Sequence, residues 1–232
     1  MNIIITGGSR GMGKAMAIEF AATASHIILC ARNLERLQKT KAEIVDKFPT
    51  CTIDVFSADL SVKTEVERFA DFCLSKFTPD ILINNAGIYT PGNTMDASEE
   101  DFNKMMNLNF FSAYYLTKKL LPSMIVQKRG HIFNVCSIAS LRAYDGGGIY
   151  SISKFALNGF SQNLRHEMKP HGIKVTAVFP GAVLTDSWGD FDNANKRIME
   201  ATDISKMVFA ASTLSSQAVV EEITIRPQLG DL

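Results

Sequence analysis

Seven short runs rich in isoleucine, valine and phenylalanine recur along this chain, each separated from the next by a longer amphipathic stretch. That alternation restricts the possible folds more than any other feature. The runs are NIIIT (2–6), HIILCA (26–31), CTIDVFSA (51–58), DILIN (80–84), GHIFNVCS (130–137), IKVTAVF (173–179) and EEITIRP (221–227). Several are apolar without interruption, as expected of strands in a parallel sheet covered by helices on both faces. Helix-like segments at 12–24, 33–47, 61–77, 98–127, 149–169 and 203–214 fill the gaps. Asn33, Ser61 and Ser98 stand where N-caps belong, and Asp101, three residues after Ser98, nearly completes a capping box. Pro49, Pro79, Pro122 and Pro170 fall at or near the ends of helical segments. Strands alternating with helices imply right-handed crossovers and a doubly wound parallel α/β sheet. With no linker or internal repeat, residues 1–232 read as one domain.

Composition narrows the function classes. Apolar residues make up 46% and charged residues 21%, enough for a sizeable core. Lys plus Arg equals Asp plus Glu at 24 each, which removes the basic footprint expected of a nucleic-acid partner. No apolar run reaches the ~18 residues of a membrane span. The chain enters a strand almost at once, leaving no room for a signal peptide, and a cytoplasmic location is expected. Cys30, Cys51, Cys73 and Cys136 show no CxxC spacing and no nearby histidine pair. Buried thiols in a reducing compartment are expected, with no metal site.

The first run leads into TGGSRGMGKAMAIEF, in which Gly7, Gly11 and Gly13 form a GxxxGxG pattern opening a helix. Glycines there permit a tight turn and let the backbone approach a pyrophosphate, whose charge meets the helix N-terminal N–H groups. The commoner GxGxxG pattern does not fit, because Met16 stands where a third small residue belongs. The plainer alternative is a strand-to-helix turn that binds nothing. At the end of the second strand, NAD-preferring proteins place an Asp or Glu, whereas an arginine accommodates the 2′-phosphate of NADP. Here HIILCARN puts Ala31 where the acid belongs and Arg32 after it. Arg10 adds a second guanidinium, a group shaped for bidentate phosphate binding. Together they favour NADP(H), with NAD(H) the alternative; either arginine alone reads equally well as a solvated surface residue.

GGGIYSISKFAL places Tyr150 four residues before Lys154, so on a helix the two share a face. A free phenol titrates near ~10, too high to exchange protons readily at neutral pH. An ammonium at about 4 Å, in an effective dielectric of ~20, is worth roughly 4 kcal/mol and is expected to draw that value down. Such a pair also occurs by chance on surface helices. His26, His131, His166 and His171 pair with no nucleophile, and NVCSIAS is not a GxSxG elbow, so triad hydrolysis is not expected.

Taken together, TGGSRGMG (6–13), ADL (58–60), NNAG (84–87), NLNFF (107–111), NVCSIAS (134–140), YSISK (150–154) and PGAVLT (180–185) stand in a familiar order and spacing. On these motifs, which cover about the first 185 residues, the chain resembles a short-chain dehydrogenase/reductase. The resemblance implies a Rossmann-like fold, a nicotinamide cofactor and a catalytic tetrad of Asn109, Ser137, Tyr150 and Lys154. On the same pattern Gly7, Ser9, Arg10, Gly11, Met12 and Gly13 face the phosphates, and Asp59 and Leu60 flank the adenine. Asn85, Ala86 and Gly87 line the ribose side with Tyr150 and Lys154, while Pro180, Gly181, Val183 and Thr185 border the nicotinamide. Tyr150 would act as general acid in reduction, and as base in oxidation, of a small carbonyl or alcohol. Ser137 would hydrogen-bond the substrate oxygen, although a strand-end serine also caps turns. Asn109 would hold a water of a proton relay, fix a helix distortion, or do both. Cys136 replaces a serine common in relatives and is expected to be a small buried residue that touches the substrate pocket.

The resemblance makes residues 186–202 a short lid. Trp188, Phe191 and Met199 would wall the substrate or anchor the loop, and Arg142, Tyr144 and Asp145 would face the pocket. The ending VVEEITIRPQLGDL lacks the Gly-Gly of many relatives and looks more like the branch of hydroxy-acid dehydrogenases and small carbonyl reductases. Family habit implies a homotetramer or homodimer. Two rivals stand beside an oxidoreductase. A dinucleotide-binding sensor or scaffold need not keep both Tyr150 and Lys154, and an extended-branch epimerase or dehydratase carries GxxGxxG and a larger C-terminal domain.

Overall fold

Side chains in the strands alternate between two apolar layers, and the protein is built around the sheet that separates them. The structure, a computed structural model, describes residues 1–189 and 191–230; Asp190, inside the expected lid, and residues 231–232 lie outside them. The strands are β1 (Asn2–Thr6), β2 (His26–Ala31), β3 (Thr52–Ser57), β4 (Ile81–Asn84), β5 (Gly130–Val135), β6 (Ile173–Pro180) and β7 (Glu222–Ile225). All neighbours pair in parallel, in the order β3-β2-β1-β4-β5-β6-β7. The helices are α1 (Gly11–Ala21), α2 (Leu34–Lys47), α3 (Lys63–Lys76), α4 (Glu99–Met106), α5 (Ser112–Gln127), α6 (Gly148–Met168) and α7 (Ala201–Ser212).

Ile3 and Ile5 of β1, with Ile27 and Leu29 of β2, join a layer completed by Phe20 of α1, Leu37 of α2 and Val208 of α7. Ile4 and Ile28 point the other way, into a layer completed by Phe69 of α3, Leu116 of α5 and Leu164 of α6. Period-two side chains with both faces buried are why these runs read as continuously apolar. The chain winds outward from β1 to β3, then crosses back to β4 on the other side of β1. That reversal leaves a crevice at the carboxyl ends of β1 and β4, where such sheets bind ligands.

Several expectations need correction. The segment 98–127 is not one helix: a π turn at Asn107–Phe111 separates α4 from α5. Ser98 does cap α4, accepting from the Asp101 N–H, and Asn33 caps α2 through the Arg36 N–H. Ser61 caps nothing; its hydroxyl and N–H both donate to Asp59 Oδ1, and α3 starts two residues later. Pro122 lies inside α5 rather than near its end. It and Lys118, whose carbonyl loses its usual donor, are on the exposed side of the helix, open to solvent. Cys30, Cys51, Cys73 and Cys136 are free and buried. Among the described residues no helix is long and apolar enough to cross a membrane, and no cluster of metal-ligating side chains forms.

Candidate active site

The crevice is assembled from the ends of β1, β2, β4 and β6. Thr6 ends β1, and its hydroxyl accepts from the Asn85 and Ala86 N–H groups at 2.9 and 3.0 Å. Gly7 has φ +68°, and a Cβ there would lie 2.7 Å from Asn85 Nδ2. A Cβ on Gly13 would lie 2.2 Å from the Gly7 carbonyl oxygen. These two positions let the start of α1 sit directly on the turn and the β4 loop. Gly11 abuts Thr185, which brings in the segment after β6. Met16, where the commoner pattern has a small residue, is fully buried in the core.

The resulting cleft, of about 260 Å³, has the glycine loop (Gly7, Ser9, Arg10, Gly11, Met12) as one wall. The β2 end contributes Ala31, Arg32, Asn33 and Arg36, and Ala58 and Leu60 follow β3. Asn85, Ala86, Gly87, Ile88, Leu108, Thr185 and Asp186 complete the lining. The cleft fits an anionic dinucleotide on three counts. Arg10 begins α1 without capping it, which leaves the first-turn N–H groups open to an anion. The glycine cradle allows close approach of a ligand to the backbone. Three guanidinium groups stand at the β2 end. Asp59 is not part of the lining. Burial raises its pKa, but the Ser61 hydrogen bonds and the charges of Arg32 and Lys104 outweigh that and hold it low. Pro180, Gly181 and Val183 are not part of the lining either: Gly181 donates its N–H to the Ile225 carbonyl, and Val183 pairs with Met199.

Beyond the lining, two of the four residues expected to form a tetrad, Asn109 and Lys154, meet beside Gly87. A Cβ on Gly87 would lie 3.2 Å from Asn109 Oδ1 and 3.5 Å from Lys154 Nζ. Asn109, in the π turn, is spent on three hydrogen bonds. Its Oδ1 accepts from the Ile88 N–H at 2.8 Å, and its Nδ2 donates to the Ile88 carbonyl at 2.9 Å and to Ser153 Oγ at 3.0 Å. Ser153 Oγ in turn donates to the Tyr150 carbonyl at 2.7 Å. Ser137 accepts from the Ala139 N–H in a capping box, and its hydroxyl is near enough to the Tyr150 phenol to draw that group's pKa down.

Lys154 departs from expectation. It is buried, donates to the Val135 carbonyl at 2.8 Å, and lies 5.9 Å from the centroid of the Tyr150 ring. Burial lowers its pKa to about 8. The Tyr150 phenol is raised rather than lowered, because burial outweighs the hydrogen bond from Ser137, with Cys136 and Tyr89 adding to the rise. Cys136 is buried as expected, packed with Ala113, Leu157, Ala177 and Phe179 in the core. Burial pushes its thiol up to about 11.

Above Tyr150, the Tyr89 ring meets it edge-on, with centroids 4.9 Å apart, and Tyr144 stands near Tyr89, which helps burial to raise its pKa. Tyr144 and Asp145 line an adjoining groove with Ser151, Ile152 and Phe155. Trp188 and Phe191 pair at 5.2 Å, whereas Met199 is buried in the core and anchors the segment through its N–H and carbonyl. Sequence reasoning missed Arg36, Tyr89 and Asp186. Arg36 stands four residues after Arg32 and Tyr89 two after Gly87, so their neighbours pointed to them. Asp186 meets Arg10 across 176 residues, and no local signal announced it.

Comparison with known proteins agrees with this geometry. The short chain dehydrogenase family profile matches residues 1–196. A sepiapterin reductase of Chlorobaculum tepidum is 34% identical, over 99% of this chain and 97% of that protein. Among solved structures, a metagenomic short-chain oxidoreductase in complex with NADP superposes with a TM-score of 0.86 at 28% identity, covering 98% of this chain and 97% of its own. An alcohol dehydrogenase from the archaeon Thermococcus sibiricus, complexed with 5-hydroxy-NADP, reaches 0.90 at 26% identity, over 98% and 96%. With the glycine cradle and the switch-point cleft in one sheet, the chain belongs to the short chain dehydrogenase family.

Proposed function

We propose that this protein is an NADP(H)-dependent oxidoreductase that reduces a ketone or aldehyde, and oxidises the corresponding alcohol, with Tyr150 as general acid and base. The observation that carries this reading is the meeting of Tyr150, Ser137 and Lys154 at the inner end of a cleft whose outer end holds Arg10, Arg32 and Arg36. When bound, the reduced dinucleotide supplies the hydride. The arginines would bind its 2′-phosphate, the glycine loop its pyrophosphate, and Gly87 with Lys154 its ribose. Burial keeps the phenol of Tyr150 protonated at neutral pH, so it stands ready to donate. Its O–H and the Ser137 hydroxyl converge on one substrate oxygen. Ser137 stabilises the charge that develops there, and Tyr150 delivers the proton. Lys154, mostly protonated at pH 7, places positive charge beside the phenolate that remains.

Tyr89 and Tyr144 offer flat walls above Tyr150, and the sepiapterin reductase relative makes a carbonyl beside a planar ring the first substrate class to try. The 186–198 segment, carrying Trp188 and Phe191, would cover that substrate. Exposed Ile152 and Phe155 on α6 support a homo-oligomer. The test is NADPH oxidation across small ketones, keto acids, quinones, aldehydes and pterin-linked ketones, with Tyr150→Phe in parallel. The variant is expected to lose roughly 10²–10⁴-fold in turnover while binding NADPH as before. Turnover that survives the substitution would show that the proton comes from elsewhere.

A further inference from the structure

Asp186, the first residue of the segment expected to cover the substrate, turns its carboxylate into the arginine cluster. Its Oδ2 lies 2.8 Å from Arg10 Nη1 and 3.6 Å from Arg36 Nη1. Arg10 comes from the glycine loop, Arg36 from α2 and Asp186 from the turn after β6, so one carboxylate clasps three separate elements. Asp186 is also the sole acid lining that cleft among the described residues. The guanidinium groups assigned above to a 2′-phosphate therefore already hold an anion. A phosphate arriving there meets a like charge sharing its partners.

We propose that Asp186 is a specificity residue that competes with the 2′-phosphate for Arg10 and Arg36. A dinucleotide carrying that phosphate frees the start of the 186–198 segment, and one lacking it leaves the clasp closed. The proposal rests on the NADP(H) reading of the cleft. Two features make the exchange feasible. The Arg10 and Asp186 side chains are 51% and 48% exposed, so water screens their attraction and a dianion can displace the carboxylate. The base of the segment is tied independently, by the Leu184 N–H to the Met199 carbonyl at 2.7 Å and the Met199 N–H to the Ala182 carbonyl at 3.1 Å. Release at Asp186 thus moves the segment and spares the core.

The test titrates wild type, Asp186→Asn and Arg32→Asp with adenosine 2′,5′-bisphosphate and with adenosine 5′-phosphate by calorimetry. Tryptic cleavage after Lys196, an exposed residue of the segment, is followed with each fragment. Asp186→Asn is expected to bind the bisphosphate about three- to ten-fold more tightly and the monophosphate unchanged. The bisphosphate, and not the monophosphate, should speed cleavage of the wild type, and the variant should be cut quickly without either. Equal effects on both fragments, or cleavage insensitive to the bisphosphate, overturn the clasp. If Arg32→Asp selectively weakens the bisphosphate while Asp186→Asn changes nothing, the NADP(H) reading survives and the clasp fails. If wild type does not prefer the bisphosphate at all, both fail.

Discussion

Replacing Lys154 with methionine separates what the reaction needs from what the fold prefers. The buried ammonium loses its hydration, which holds its pKa at about 8 against an ordinary 10.5. At about 1.4 kcal/mol per factor of ten, that displacement opposes folding by about 3 kcal/mol at neutral pH. Methionine keeps the apolar stem and removes the charge. It also removes the charge-assisted hydrogen bond to the buried Val135 carbonyl, worth about 2 kcal/mol. Lys154→Met is therefore expected to stabilise the protein by about 1 kcal/mol at pH 7, raising Tm by roughly 2–4 °C for a chain of this size, while turnover is lost. The pH dependence is the sharper test. Between about pH 8 and 10.5 the unfolded chain keeps a proton on Lys154 that the folded chain has released, so this residue makes wild-type stability rise with pH. Below about pH 8 its opposition is complete. Urea unfolding of both proteins from about pH 7 to 10 measures the gap between them, which should narrow as pH rises. A variant less stable than wild type at pH 7, or a gap that stays constant, would refute the desolvation account.

Two further substitutions probe other parts of the site. Gly13→Ala places a Cβ against the Gly7 carbonyl at a distance no contact tolerates, and the start of α1 must shift. Calorimetry should show dinucleotide binding weakened by at least ~10-fold, and thermal unfolding a loss of about 1–3 kcal/mol. Asn109→Ala strips the Ile88 N–H and carbonyl and Ser153 of their partner, and should cost about 2–3 kcal/mol of stability. Unchanged thermal stability with turnover abolished would move Asn109 from scaffold to chemistry.

The sheet was legible because both its faces are buried: runs such as NIIIT and HIILCA carry polar residues only at their ends. The glycine loop was legible for a related reason, since backbone contact with Asn85 and Gly7 admits no side chain. What escaped depends on partners distant in sequence. The π turn exists where Asn109 reaches Ile88 and Ser153, 21 and 44 residues away, and local periodicity records neither. The i, i+4 spacing placed Lys154 and Tyr150 on one helix correctly. It could not reveal that the Val135 carbonyl would take the ammonium, nor that burial would win the contest over the phenol. For Met199 the sequence left wall and anchor open, because flexible apolar residues serve pocket and core equally well, and the structure buries it, as it buries Cys136.

The short bridge between Val183 and Met199 has a consequence for how such a protein diversifies. By pinning both ends of residues 186–198 to the frame, it makes that stretch exchangeable without disturbing the sheet. Doubling the length of a flexible loop adds only about 0.6 kcal/mol of closure entropy. Evolution, or a designer, can therefore graft longer or differently shaped inserts between those two residues and retune what is recognised above Tyr150, leaving the hydrogen bonds that hold Asn109 and Lys154 in place.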